Sequence, residues 1–73
     1  MIVETICAQL ALLLGRELPE LSRETTFLED LGLGQAEYDR LLEALAQAFG
    51  IDKKAMEGTK TLGELTKAIA DCL

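Results

Sequence analysis

Few side chains in this sequence are suited to covalent chemistry, and none stands beside a group that would activate it. The chain of 73 residues contains no histidine. Cys7 and Cys72 lie near its two ends, with no Cys-x-x-Cys spacing and no base at a spacing that marks a thiol nucleophile. A zinc site needs further ligands close by, so none is expected. Ser22 is the only serine. Tyr38 recurs with apolar neighbours at steps of three and four, which assigns it to a buried stripe. These residues point to a protein that is not an enzyme.

Charge narrows the partners. Seven Lys plus Arg stand against 13 Asp plus Glu, a net charge of −6. Nucleic acid is excluded as a target because phosphate contacts need a clustered positive surface. A basic protein partner is the expected counterpart, although acidity also keeps a small domain soluble. No apolar run reaches membrane-spanning length, and no basic stretch precedes an apolar run with a cleavage site. A cytoplasmic monomer without membrane association is therefore expected.

The elements that hold these residues follow from apolar spacing. Residues 1–73 form a single domain, one that buries only roughly 60–65% of the surface its unfolded chain exposes. Hydrophobic residues make up 49% but aromatics only 4%, so the core is built from Leu, Ile and Ala and favours helices. Ile2, Val3, Ile6, Cys7, Leu10, Leu13 and Leu14 make one stripe of a first helix, ended by Gly15. Ala11 and Leu12 widen that face, which is expected to be buried between neighbours. Residues 16–33 lose the period: Pro19, Ser22, Thr25, Thr26 and Gly32 interrupt it, while Leu18, Leu21, Phe27, Leu28, Leu31 and Leu33 keep it apolar. It reads as an ordered loop pinned to the core by Phe27, Leu28 and Leu31, with room for a short helical turn after Thr25 or Thr26.

Residues 36–49 form the clearest helix, with Tyr38, Leu41, Leu42, Leu45, Ala48 and Phe49 inward and Glu37, Arg40, Glu43 and Gln47 outward. Gly34 occupies its N-cap, Glu37 and Asp39 are expected in its first turn, and Gly50 stops it. On the outward face Arg40 is spaced to pair with both Glu37 and Glu43. Asp52 caps a possible single turn at 53–56 that ends by Gly58. Thr61 and Glu64 form a capping-box pattern opening a last helix, with Leu62, Leu65, Ala68, Ile69 and Cys72 inward. No repeat or low-complexity stretch interrupts this plan.

Thr26-Phe27-Leu28-Glu29-Asp30-Leu31-Gly32, followed by a helix ending in Ala48-Phe49-Gly50-Ile51 and a final helix opened by Thr61-Leu62-Gly63-Glu64, resembles the acyl carrier proteins of the phosphopantetheine-attachment family along the whole chain. The resemblance implies an all-α, four-helix bundle of three main helices and one short one, with a long ordered loop between the first two. It also implies that Glu29 and Asp30 are structural, and that partners bind chiefly along the second helix. The corresponding residues here are Leu33 at the loop tip, Glu37, Asp39 and Glu43, with Arg40 interrupting the acidic face. If the first and last helices pack antiparallel, as the family implies, Cys7 and Cys72 could approach, with two buried free thiols as the expected state.

The departure is at the attachment site, where an Asp-Ser-Leu triplet of the family is replaced by Gly34, Gln35 and Ala36. A serine oxygen is needed to form the phosphodiester with the arm, and a glutamine amide is neither acidic enough nor nucleophilic enough to replace it. No cofactor is expected. The free N–H groups around Gln35, Ala36 and Glu37 still suit an anion, against the opposing charges of Asp30, Glu37 and Asp39. The resemblance and the substitution together suggest a non-catalytic docking module. The alternatives are a carrier of acyl intermediates with an altered attachment site, and an unrelated helical adaptor or chaperone subunit.

Overall fold

The structure, a computed structural model, describes residues 2–15 and 21–73. Arg16, Leu18 and Pro19 of the expected loop lie outside the described residues. The elements are helix α1 (Ile2–Leu14), helix α2 (Gln35–Phe49), a 3₁₀ turn (Lys53–Ala55) and helix α3 (Leu62–Cys72). Among the described residues there is no strand, and the fold is all-α.

Each helix contributes the apolar side chains its spacing groups together. Ile6 and Leu10 from α1, Leu41, Leu42 and Leu45 from α2, and Leu62, Leu65 and Ile69 from α3 are buried in one cluster. Helix α1 packs against both α2 and α3. Gly15 and Gly50 end their helices in the left-handed conformation, with φ of 68° at each, which glycine adopts without a Cβ clash. Asp52 accepts a hydrogen bond from the Lys54 N–H at 3.0 Å and so caps the 3₁₀ turn.

The connection before α2 belongs to the core rather than lying over it. Phe27, Leu31 and Leu33 are buried with the helical leucines. A buried loop backbone needs partners, and the residues opening α3 supply several of them. The Phe27 N–H donates to Lys60 O at 3.1 Å, the Leu62 N–H to Thr25 O at 2.9 Å and the Gly63 N–H to Arg23 O at 2.9 Å. Thr26 and Thr61 thereby form an isolated antiparallel bridge.

Several expectations are corrected. The segment after Thr25 is not a helical turn. The Thr26 N–H donates to Asp30 Oδ2 at 2.9 Å and the Asp30 N–H donates to Thr26 Oγ1 at 3.0 Å, closing a turn that aims Phe27 inward and Leu28 outward. Leu28 is 54% exposed, so it does not pin the loop. The capping box of α3 is displaced by one residue: Thr61 Oγ1 accepts from the Glu64 N–H at 3.2 Å, but Glu64 Oε1 accepts from Lys60 rather than Thr61.

Helix α1 does not bury its whole apolar girth, since Leu12 is 77% exposed and Val3 is 43% exposed. Three consecutive leucines at 12–14 sweep about 200° around a helix, more than its neighbours cover. Ala48 is exposed on α2. Residues 70–72 of α3 and Leu73 after it are all exposed, so Cys72 is not inward and the pair is not two buried thiols. Cys7 is half-buried, and both cysteines are free.

The tightest joint of the fold is testable at Gly63, which is buried. A Cβ there would stand 2.9 Å from Arg23 O and 3.1 Å from Arg23 Cβ. Backbone cannot swing aside as a side-chain tip can, so the clash should outweigh the gain in helix propensity of up to about 1 kcal/mol. Gly63→Ala is expected to lower stability by about 1–3 kcal/mol, read as a lower urea midpoint with an unchanged slope. A raised midpoint would show that the Arg23 backbone yields freely.

Candidate functional site

The site is built around the N-terminus of α2. Gly34 takes the N-cap position with extended backbone, φ −80° and ψ 168°, a conformation open to any residue. Lacking a side chain, it cannot cap the helix. The Glu37 carboxylate instead turns back and accepts the Gly34 N–H at 2.9 Å, a half capping box. Helix α2 begins one residue earlier than its apolar spacing indicates, so Gln35 is its first residue. Gln35 and Ala36 are exposed. Asp39 falls outside the first turn, where Glu37 is the acidic residue.

Beside Gln35 lies an open cleft of about 300 Å³. Phe27 and Tyr38, both buried, are among the residues that line it, with ring centroids 5.8 Å apart and planes tilted by 41°, within the range of favourable aromatic pairs. Thr26, Leu28 and Glu29 of the loop border it, and Gly58, Thr59 and Lys60 border it from the segment before α3. Two remote stretches of chain therefore meet at the helix start.

Tyr38 fastens the cleft to the fold. Its ring is buried, while Tyr38 Oη donates to Thr59 O at 2.7 Å and lies 2.7 Å from Thr59 Oγ1. Thr59 Oγ1 in turn donates to Met56 O at 2.9 Å. Burial pushes the Tyr38 hydroxyl above its ordinary value, and the Thr59 hydrogen bonds partly oppose that rise.

The residues expected at a docking face divide. Leu33 is 4% exposed; its N–H donates to Phe27 O at 3.0 Å, folding the side chain into the core instead of presenting it at a loop tip. Glu37 and Asp39 are half-buried, while Arg40 and Glu43 are exposed. Arg40 does not pair with Glu37 or Glu43. It borders a shallow hollow with Gln9, Leu12, Leu13, Leu41 and Ala44, on the side facing α1. The cation that meets the acids is Lys53, whose Nζ lies 3.5 Å from Glu43 Oε1 and 4.0 Å from Asp39 Oδ1. Sequence reasoning misses Lys53 because it reaches α2 across a chain reversal, where no helical spacing applies. It misses the cleft for a similar reason, although Leu28, an apolar residue beside two acids, was a visible signal.

The Tyr38 hydroxyl yields a pH-dependent expectation. With its folded pKa raised above the ordinary 10.0, the unfolded chain loses this proton first. The stabilisation is fully present below about pH 10 and declines as pH rises through the folded pKa. Tyr38→Phe should remove this component of alkaline destabilisation and cost about 1 kcal/mol at neutral pH, measured by urea unfolding of both proteins from pH 7 upward. Parallel pH curves would contradict it. No family model matches the chain, and no match was found among curated proteins or solved structures.

Proposed function

We propose that this chain is an acyl-carrier-like docking module that does not carry a phosphopantetheine arm. The observation that carries the reading is the exposed Gln35 at the first position of α2, where the resemblance puts a modified serine. Its neighbours Gly34 and Ala36 hold no side-chain heteroatom. The hydroxyls lining the cleft beside Gln35 are engaged: Tyr38 Oη donates to Thr59 O, Thr59 Oγ1 donates to Met56 O, and Thr26 Oγ1 accepts the Asp30 N–H, while Ser22 lines a different hollow. A transferase has no oxygen here from which to form a phosphodiester.

The docking half of the proposal rests on the acidic residues of α2 and on the net charge of −6, which together favour a protein partner with a basic patch. Glu43 and Asp39 supply the negative charges, with Glu37 committed to the helix start and Arg40 interrupting the face.

Incubation with coenzyme A and a broad-specificity phosphopantetheinyl transferase, followed by intact mass measurement, tests the first half. The unmodified chain should keep its mass and Gln35→Ser should gain the arm. Labelling of the unmodified chain would return it to the acyl carriers with an altered site. Failure of Gln35→Ser to label would favour an unrelated helical adaptor.

A further inference from the structure

We propose that the cleft beside Gln35 seats one large apolar side chain projecting from a basic amphipathic helix of a partner protein. This deepens the docking proposal above and rests on it. The cleft, about 300 Å³, sits at the lower limit of small-molecule sites, roughly 300–1,000 Å³, and suits one bulky side chain better than an extended ligand. Phe27 and Tyr38, packed against each other behind it, are already buried and lose little conformational entropy when it is filled.

Leu28 makes the rim adhesive. It is 54% exposed, yet the reciprocal Thr26 and Asp30 hydrogen bonds hold its turn in place. A fixed, exposed leucine bordering an apolar cleft is an arrangement that a partner's anchor residue completes by excluding water.

Charge selects the kind of partner. Glu29 stands on the same rim, and α2 carries Asp39 and Glu43 beyond Gln35, with Glu37 held at the helix start; among the described residues Lys60 is the one cation lining the cleft. An anchor flanked by Lys or Arg on its own helix places cations opposite these acids. A second copy of this chain is a poor occupant, because each copy carries a net charge of −6 and two would repel.

The chain contains no tryptophan, so a tryptophan in a probe reports alone. The probe is a synthetic helix-forming peptide with Lys and Arg along one side and a single Trp, paired with a peptide in which that Trp is Ala. Binding to the full chain should shift the Trp emission to the blue, and the Ala peptide should bind at least about tenfold more weakly. Leu28→Ala, at an exposed site that leaves the core intact, should weaken the Trp peptide about tenfold; Leu12→Ala, on α1, should not. If Glu43→Lys weakens binding but Leu28→Ala does not, the docking proposal stands and the anchor falls. Indifference to both variants, or no binding of the Trp peptide, overturns both.

Discussion

The structure depends on a loop that must be inside. With two phenylalanines, one tyrosine and no tryptophan, three short helices alone leave the core short of large side chains, and Phe27 is brought in from the connection to fill it. Burying that stretch obliges its backbone to find partners, and the segment opening α3 provides them at Thr25, Phe27 and Arg23. Gly63 is then required, because the two backbones run too close for a Cβ. The same closure brings Lys60 and Thr59 beside Phe27, and Tyr38 locks to Thr59 from α2. The cleft is thus a by-product of how the loop is buried, with Phe27 and Tyr38 of its lining held in the core.

The α2 N-terminus is a helix start that the chain closes with its own carboxylate. A helix start presents N–H donors to solvent and attracts anions. Here the Glu37 carboxylate takes the Gly34 N–H, placing a negative charge of the chain's own at the position where an external anion would gain most. The weak anion affinity expected for the free N–H groups is therefore opposed by a specific contact as well as by overall charge. Gln35 adds a polar but unreactive amide at the rim.

The helices were legible because their information is local. Spacing in Ile6 and Leu10, Leu41 to Leu45, and Leu62 to Ile69 identified the buried stripes, and Gly15 and Gly50 identified two ends, since a left-handed cap favours glycine. What was not legible depended on long-range geometry. Leu28 and Leu31 are equally apolar, and only the turn closed by Thr26 and Asp30 sends one out and the other in. Cys72 keeps the inward phase of Leu65 and Ile69, but α3 outruns the core in its last turn. Arg40 matches the spacing for pairing with Glu37 and Glu43, yet lies toward α1 while Lys53 arrives from the 3₁₀ turn. At the candidate site, Gln35 and the acids could be named from the sequence; the cleft could not, because Gly58, Thr59 and Lys60 of its lining lie more than twenty residues from Gln35.

This internal pairing limits what the acidic face can contribute to binding. Glu37 is spent on the helix cap, and Asp39 and Glu43 share Lys53. A basic partner must displace or share those contacts, so each new ion pair replaces an existing one. Exposed pairs contribute only about 0–1 kcal/mol to begin with, which leaves a small net gain. The long-range field is little affected by local pairing, because the net charge of −6 persists and acts over about 8–10 Å at physiological salt. For the basic partner proposed above, electrostatics on this surface would therefore steer encounter and orientation more than hold the complex. Lasting affinity has to come from apolar burial, and the fold offers that next to the acids at the cleft bordered by Leu28.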